Sequence, residues 1–173
     1  PPRKLLQVMR MPQVGGSSYI SQDFDEEVFN ALNTVQDKLL KYKKFVLVFP
    51  EGGGHPREIE GACIRFCRQC ALSFECVDHV EMKEVDAGIV YFVIADNALI
   101  DLVKIGDEKG LKLGKSFGIL SYNDTPMKSI IREGISVIST DFHAFGKEIN
   151  RFIRTRQPVQ KRISTKITLR NSL

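Results

Sequence analysis

Phe45-Val46-Leu47-Val48-Phe49 is an unbroken apolar run, followed by Pro50 and the loop Glu51-Gly52-Gly53-Gly54-His55-Pro56. A strand with one wet face alternates apolar with polar residues, so a run without alternation predicts a strand covered on both faces. Upstream of it, residues 24–42 predict a helix, with Phe24, Val28, Leu32, Val35 and Leu39 on one stripe. Asp23, Asp25, Glu26 and Glu27 crowd its first turn, and Lys38, Lys41, Lys43 and Lys44 its end, both matched to the helix dipole. Downstream, a helix over 57–72 is followed by strands at 75–80 and 89–95 and a helix over 97–109 closed by Gly110. Strands at 116–121 and 135–140 and a helix over 141–155 complete the series, and two short strands are expected at 4–11 and 17–21. Strands alternating with helices, without an internal repeat, predict an α/β fold with a doubly wound, Rossmann-like parallel sheet.

The 173 residues suffice for one domain with a real core, and 43% hydrophobic with 27% charged residues is ordinary globular composition. No run of 18 apolar residues is present, so no membrane span and no membrane partner is expected. The start, Pro1-Pro2-Arg3-Lys4, has neither an initiator Met nor an apolar signal region and reads as an internal start. The net charge of +4 is a property of the tail. Residues 151–173 hold seven basic residues and no acid, leaving 18 basic against 21 acidic on the rest. Within that tail Arg162-Ile163-Ser164-Thr165-Lys166-Ile167-Thr168-Leu169 alternates, which favours a terminal strand over a nucleic-acid-contacting arm.

Several motifs resemble chemistry they do not carry. Cys63, Cys67 and Cys70 have the spacing of an iron–sulfur ligand set, but with Ile59 and Phe66 they fall on the apolar stripe of the second helix. Thiols on a packing face behave as small hydrophobes, and four cysteines without a secreted disulfide pattern suit a reducing cytoplasm. Gly110-Leu111-Lys112-Leu113-Gly114-Lys115-Ser116 is one residue short of a P-loop and precedes a strand instead of following one. His79 and His143 lack spaced partners for a metal, and no nucleophile elbow exists. Neither an enzyme nor a cofactor is expected. What remains is a set of polar residues at strand ends, where open α/β sheets bind ligands: Asp23, the Gly52–Gly54 lip with His55, Asp96-Asn97 and Asn123-Asp124. Such convergence suits a polyhydroxylated ligand, each of whose hydroxyls needs a donor and an acceptor when desolvated.

Three segments carry a resemblance to a known family. Ile94-Ala95-Asp96-Asn97-Ala98-Leu99, Gly118-Ile119-Leu120-Ser121-Tyr122-Asn123-Asp124-Thr125-Pro126 and Ile138-Ser139-Thr140-Asp141-Phe142 are similar, in order and spacing, to the effector domain of the LacI/GalR (lactose- and galactose-repressor) family. The resemblance implies a type I periplasmic-binding-protein fold, of which this chain would be the C-terminal part. Tyr19–Phe24 and the ending Leu169-Arg170-Asn171-Ser172-Leu173 look closest to Bacteroidetes regulators that join a GntR-type winged helix to this domain. Residues 1–22 and 136–156 would then be remnants of the N-terminal subdomain, and 23–135 with 157–173 the C-terminal, effector-binding subdomain. The DNA-binding domain would lie upstream, and the chain would hold one wall of the cleft. The resemblance places ligand contacts on Asp23, Arg57, Glu58, Asn97, Asn123 and Asp124, with His55 and Phe142 at the cleft lip. It departs from the family where Glu58 stands for the usual arginine and Asn123 for the first aspartate of the "DDTP" motif. It implies a homodimeric cytoplasmic transcription regulator that senses a sugar or sugar derivative and touches DNA only through the missing domain. A periplasmic sugar-binding protein of the same fold is the alternative, and a doubly wound enzyme a weaker one.

Overall fold

The computed structural model describes residues 6–9, 18–52 and 54–173. Its larger sheet has six strands in the order β4-β3-β5-β6-β7-β9. They are β3 (Lys44–Val48), β4 (Ser73–Val77), β5 (Ile89–Val93), β6 (Gly118–Tyr122), β7 (Ser136–Thr140) and β9 (Thr165–Thr168). All pairings are parallel except that of β9 on β7. A smaller sheet, β1-β2-β8, joins β1 (Leu6–Met9), β2 (Ser18–Ser21) and β8 (Gln160–Arg162). The helices are α1 (Glu26–Thr34), α2 (Gln36–Leu39), α3 (Glu58–Gln69), α4 (Asp96–Glu108) and α5 (Phe142–Thr155).

The period-2 geometry of a strand explains why the apolar runs have no polar members. Phe45, Leu47 and Phe49 face a cluster built with Val28, Leu32, Ile59 and Phe66 of α1 and α3. Val46 and Val48, between them, face a second cluster with Leu99 and Leu102 of α4. Val90, Phe92 and Ile94 against Tyr91 and Val93 divide in the same way. The doubly wound sheet is therefore observed, with helices on both faces. At its centre Gly118 lies against Tyr42, and a Cβ there would approach the ring to 2.6 Å. Since Tyr42 is itself buried, Gly118→Ala should cost about 1–3 kcal/mol by overpacking, readable as a lowered denaturant midpoint.

Two expectations need correction. The helix over 24–42 breaks at Val35, whose φ of −122° and ψ of 21° separate α1 from α2. There the Thr34 hydroxyl donates back to the Ala31 carbonyl, a competition with the helix ladder that short hydroxyl side chains offer. The single terminal strand is two. Its alternating run crosses between sheets after Arg162, so that Ile163 packs with Ile20, Phe145 and Phe152 while Ile167 joins the α1/α3 cluster. β7 is an integral strand of the larger sheet, whereas β8, from the tail, completes the smaller one. The chain thus passes between the two layers after β2, after β7 and after β8. The expected strand positions 4, 5, 10, 11 and 17 lie outside the described residues.

Candidate ligand pocket at the crossings between the sheets

The carboxyl ends of β1, β2, β3, β6 and β7 meet around a pocket of about 250 Å³. Its lining comes from Met9 at the end of β1, Gln22 and Phe24 after β2, and Gly54, His55 and Pro56 after β3. Tyr122 at the end of β6 and Asn123 after it, with Thr140 and Phe142 around the end of β7, complete it. Two of the three crossings thus supply walls. They are tied together by Gln22, whose amide Nε2 donates to the Thr140 hydroxyl. Asn123 leaves β6 with φ +60° and its N–H donates to the Ile138 carbonyl at 2.8 Å. Its side-chain Oδ1 is buried with no hydrogen-bond partner. Burial pushes the Tyr122 phenol up to about 12 against a weaker lowering effect of Thr140, so it is neutral near pH 7. Among the described residues, no Asp, Glu, Lys or Arg lines it. The arrangement offers amide and hydroxyl groups that both donate and accept, set between aromatic surfaces.

Of the expected site residues, the pocket gathers His55, Asn123 and Phe142. The other five lie outside its lining, and each has a visible reason. Asp23 accepts the Glu26 N–H at 3.1 Å, holding the entry to α1, and pairs with Arg162 at 3.2 Å. Arg57 turns outward to Glu60 at 3.1 Å and lies over the Phe49 ring at 4.8 Å. Glu58 is exposed on the first turn of α3. Asn97 is exposed on the first turn of α4, which begins at Asp96. Asp124 is held by a two-pronged pair with Arg170, at 3.0 and 2.7 Å, which fastens the tail to the end of β6. Asp124→Ala should therefore lower stability by about 1–2 kcal/mol in urea while leaving ligand affinity unchanged.

Gln22, Phe24, Tyr122 and Thr140 are the lining residues that a search for acids and arginines passes over. Their shared signal is position, at or just past the carboxyl end of a strand. Beside the pocket, the Asp141 carboxylate caps α5 by accepting the Ala144 N–H at 2.9 Å. Lys166, and secondarily that N–H, hold it below the ordinary carboxylate range. The cysteines play no part here. Cys63 and Cys67 are buried against the sheet, and burial pushes the Cys67 thiol up to about 12 and Cys76 to about 11. Among the described residues no group of His, Cys, Asp or Glu could hold a metal ion, and no helix is long and apolar enough to cross a membrane.

The two-layer arrangement with this sheet order is the type I fold of periplasmic binding proteins and LacI-type effector domains. Among solved structures it is similar to the Escherichia coli transcriptional repressor ascG, with TM-score 0.80 and 14% identity over 100% of this chain and 70% of that one. A periplasmic binding protein/LacI transcriptional regulator from Alkaliphilus metalliredigens QYMF, complexed with D-xylulofuranose, matches with TM-score 0.69 and 15% identity over 96% and 69%. A LacI family transcriptional regulator from Arthrobacter sp. FB24, in complex with lactose, matches with TM-score 0.74 and 11% identity over 98% and 71%. The chain spans 56% of the length of a Lac repressor bound to ONPG, which it also resembles. No family model matches the chain, and no curated protein does.

Proposed function

We propose that this chain is the effector-binding part of a bacterial transcription regulator and senses an uncharged sugar or sugar derivative in the pocket between its two sheets. The observation that carries the reading is the lining itself: amides and hydroxyls with the His55 imidazole among aromatic rings, and no Asp, Glu, Lys or Arg among the described lining residues. A phosphate or carboxylate entering such a site would lose its hydration without meeting a Lys or Arg among the described lining residues, which disfavours charged effectors. The solved structures with this fold include regulators in complex with sugars, which supports the same ligand class. In this reading the protein is not an enzyme and works in the cytoplasm, as four free cysteines suit. It acts as a homodimer, and a GntR-type winged helix preceding residue 1 contacts DNA. The ligand biases that contact only through its different affinity for the open and closed arrangements of the two layers. The remainder of the N-terminal subdomain, with the rest of the second cleft wall, would also precede residue 1.

A thermal-shift panel of neutral monosaccharides against their 6-phosphates tests the ligand class. At about 100 times its Kd, a bound neutral sugar should stabilise the full protein by about 2.7 kcal/mol, and the phosphates should have no effect. Stabilisation by phosphates alone would overturn it.

A further inference from the structure

We propose that Lys128 is a positioning residue for this pocket, its buried ammonium fixing the Tyr122–Asn123 turn so that the Asn123 side chain faces the ligand. The inference rests on the pocket being the ligand site. Lys128 is 1% exposed, and it is the one buried charged side chain among the described residues. Its Nζ donates to the Tyr122 carbonyl at 2.8 Å and the Asn123 carbonyl at 2.7 Å, and pairs with Asp96 Oδ1 at 2.8 Å. An ammonium has three protons, and here three oxygens take them. A buried ammonium is tolerated only when satisfied in this way, so the site dictates the positions of all three oxygens.

Two of those oxygens belong to successive peptide groups at the point where β6 ends. The chain turns there through Asn123 at φ +60°, a conformation that a residue other than glycine keeps only when its surroundings over-determine it. Lys128 holds the turn from one side through the carbonyls, and Ile138 holds it from the other through the Asn123 N–H. With the backbone clamped from both sides, Asn123 is held in the pocket lining. The third oxygen, on the first residue of α4, fastens that helix to the same turn. An apolar side chain would fill this volume without gripping the carbonyls, so a lysine is explained by what it orients.

The test compares wild type with Lys128→Met, Lys128→Arg and Asp96→Asn in the full protein, titrating D-glucose, D-galactose and D-xylose separately by calorimetry. It also follows backbone amides by ¹H–¹⁵N NMR without sugar. Lys128→Met should raise the Kd of the bound sugar about 10-fold at a temperature where circular dichroism shows it folded. The Asn123 amide signal should move while those of Ile59 and Phe66 in α3 stay in place. Lys128→Arg, which keeps the charge, should recover part of the affinity, an effect that simple cavity filling would not produce. A folded Lys128→Met with Kd within about two-fold of wild type and an unmoved Asn123 signal overturns the proposal. If Lys128→Met does not fold, Asp96→Asn decides in the same way, with a smaller change in the same direction expected. If wild type binds none of the three sugars, the ligand-site reading loses its support, while the Asn123 signal still decides whether Lys128 holds the turn.

Discussion

Asn123→Gly should weaken binding about 100-fold while leaving the fold as stable as before, or more so. Asparagine at φ +60° carries a steric cost that glycine does not, and this offsets the about 0.5–1 kcal/mol of extra chain entropy that glycine loses on folding. The change also removes a buried Oδ1 without a partner, an atom whose desolvation costs about 1–3 kcal/mol in the empty pocket. Stability therefore has little to lose. Binding has much to lose, because a sugar hydroxyl entering the mutated pocket would be stripped of water and left unpaired. That penalty, added to the lost hydrogen bond, should weaken affinity by about 100-fold. Calorimetry and a urea melt on the same preparation separate the two effects. Affinity within about two-fold of wild type would remove Asn123 from the site.

Phe45→Ala should be the most damaging single truncation in the larger sheet. Phe45 is fully buried in β3, and its ring lies 6.3 Å from those of Phe66, Phe74 and Phe92. Those rings come from α3, β4 and β5, so the cavity would open where one helix and three strands meet. Phenylalanine truncations of this kind cost about 3–5 kcal/mol, against a total domain stability of about 5–15 kcal/mol. The urea midpoint should fall sharply with an unchanged slope. A loss below about 1 kcal/mol would show that β3 is not the centre of the core.

The fold was legible where one residue pattern has one structural cause. In 45–49 and 89–95, continuous apolar residues mean two covered faces, and both runs became central strands. Legibility failed where a local pattern serves two partners. The alternation from Arg162 to Leu169 is real, but Ile163 and Ile167 answer to different cores, and nothing local marks the crossing between them. At Val35 the apolar stripe continues through a broken helix, because burial of Val35 and Leu39 is satisfied on either side of the break.

The pocket was legible as a place more than as a set of residues. The ends of the strands were identified, yet the charged residues there were drawn into structural work. Asp23 holds a helix start, and Asp124 holds the tail. Charged groups at a fold's joints find partners within the chain, so among the described residues no Asp, Glu, Lys or Arg is left facing the pocket. Gln22, Tyr122 and Thr140 show no sequence signal beyond standing beside the residues that attracted attention.

The most direct measurement of the central claim is calorimetric titration of the full protein, wild type and Asn123→Gly, with neutral monosaccharides and their 6-phosphates. The expected result is saturable binding of at least one neutral sugar by wild type, no binding of the phosphates, and loss of the signal in Asn123→Gly. Binding of phosphates alone, or a neutral sugar bound equally well by wild type and Asn123→Gly, would contradict it.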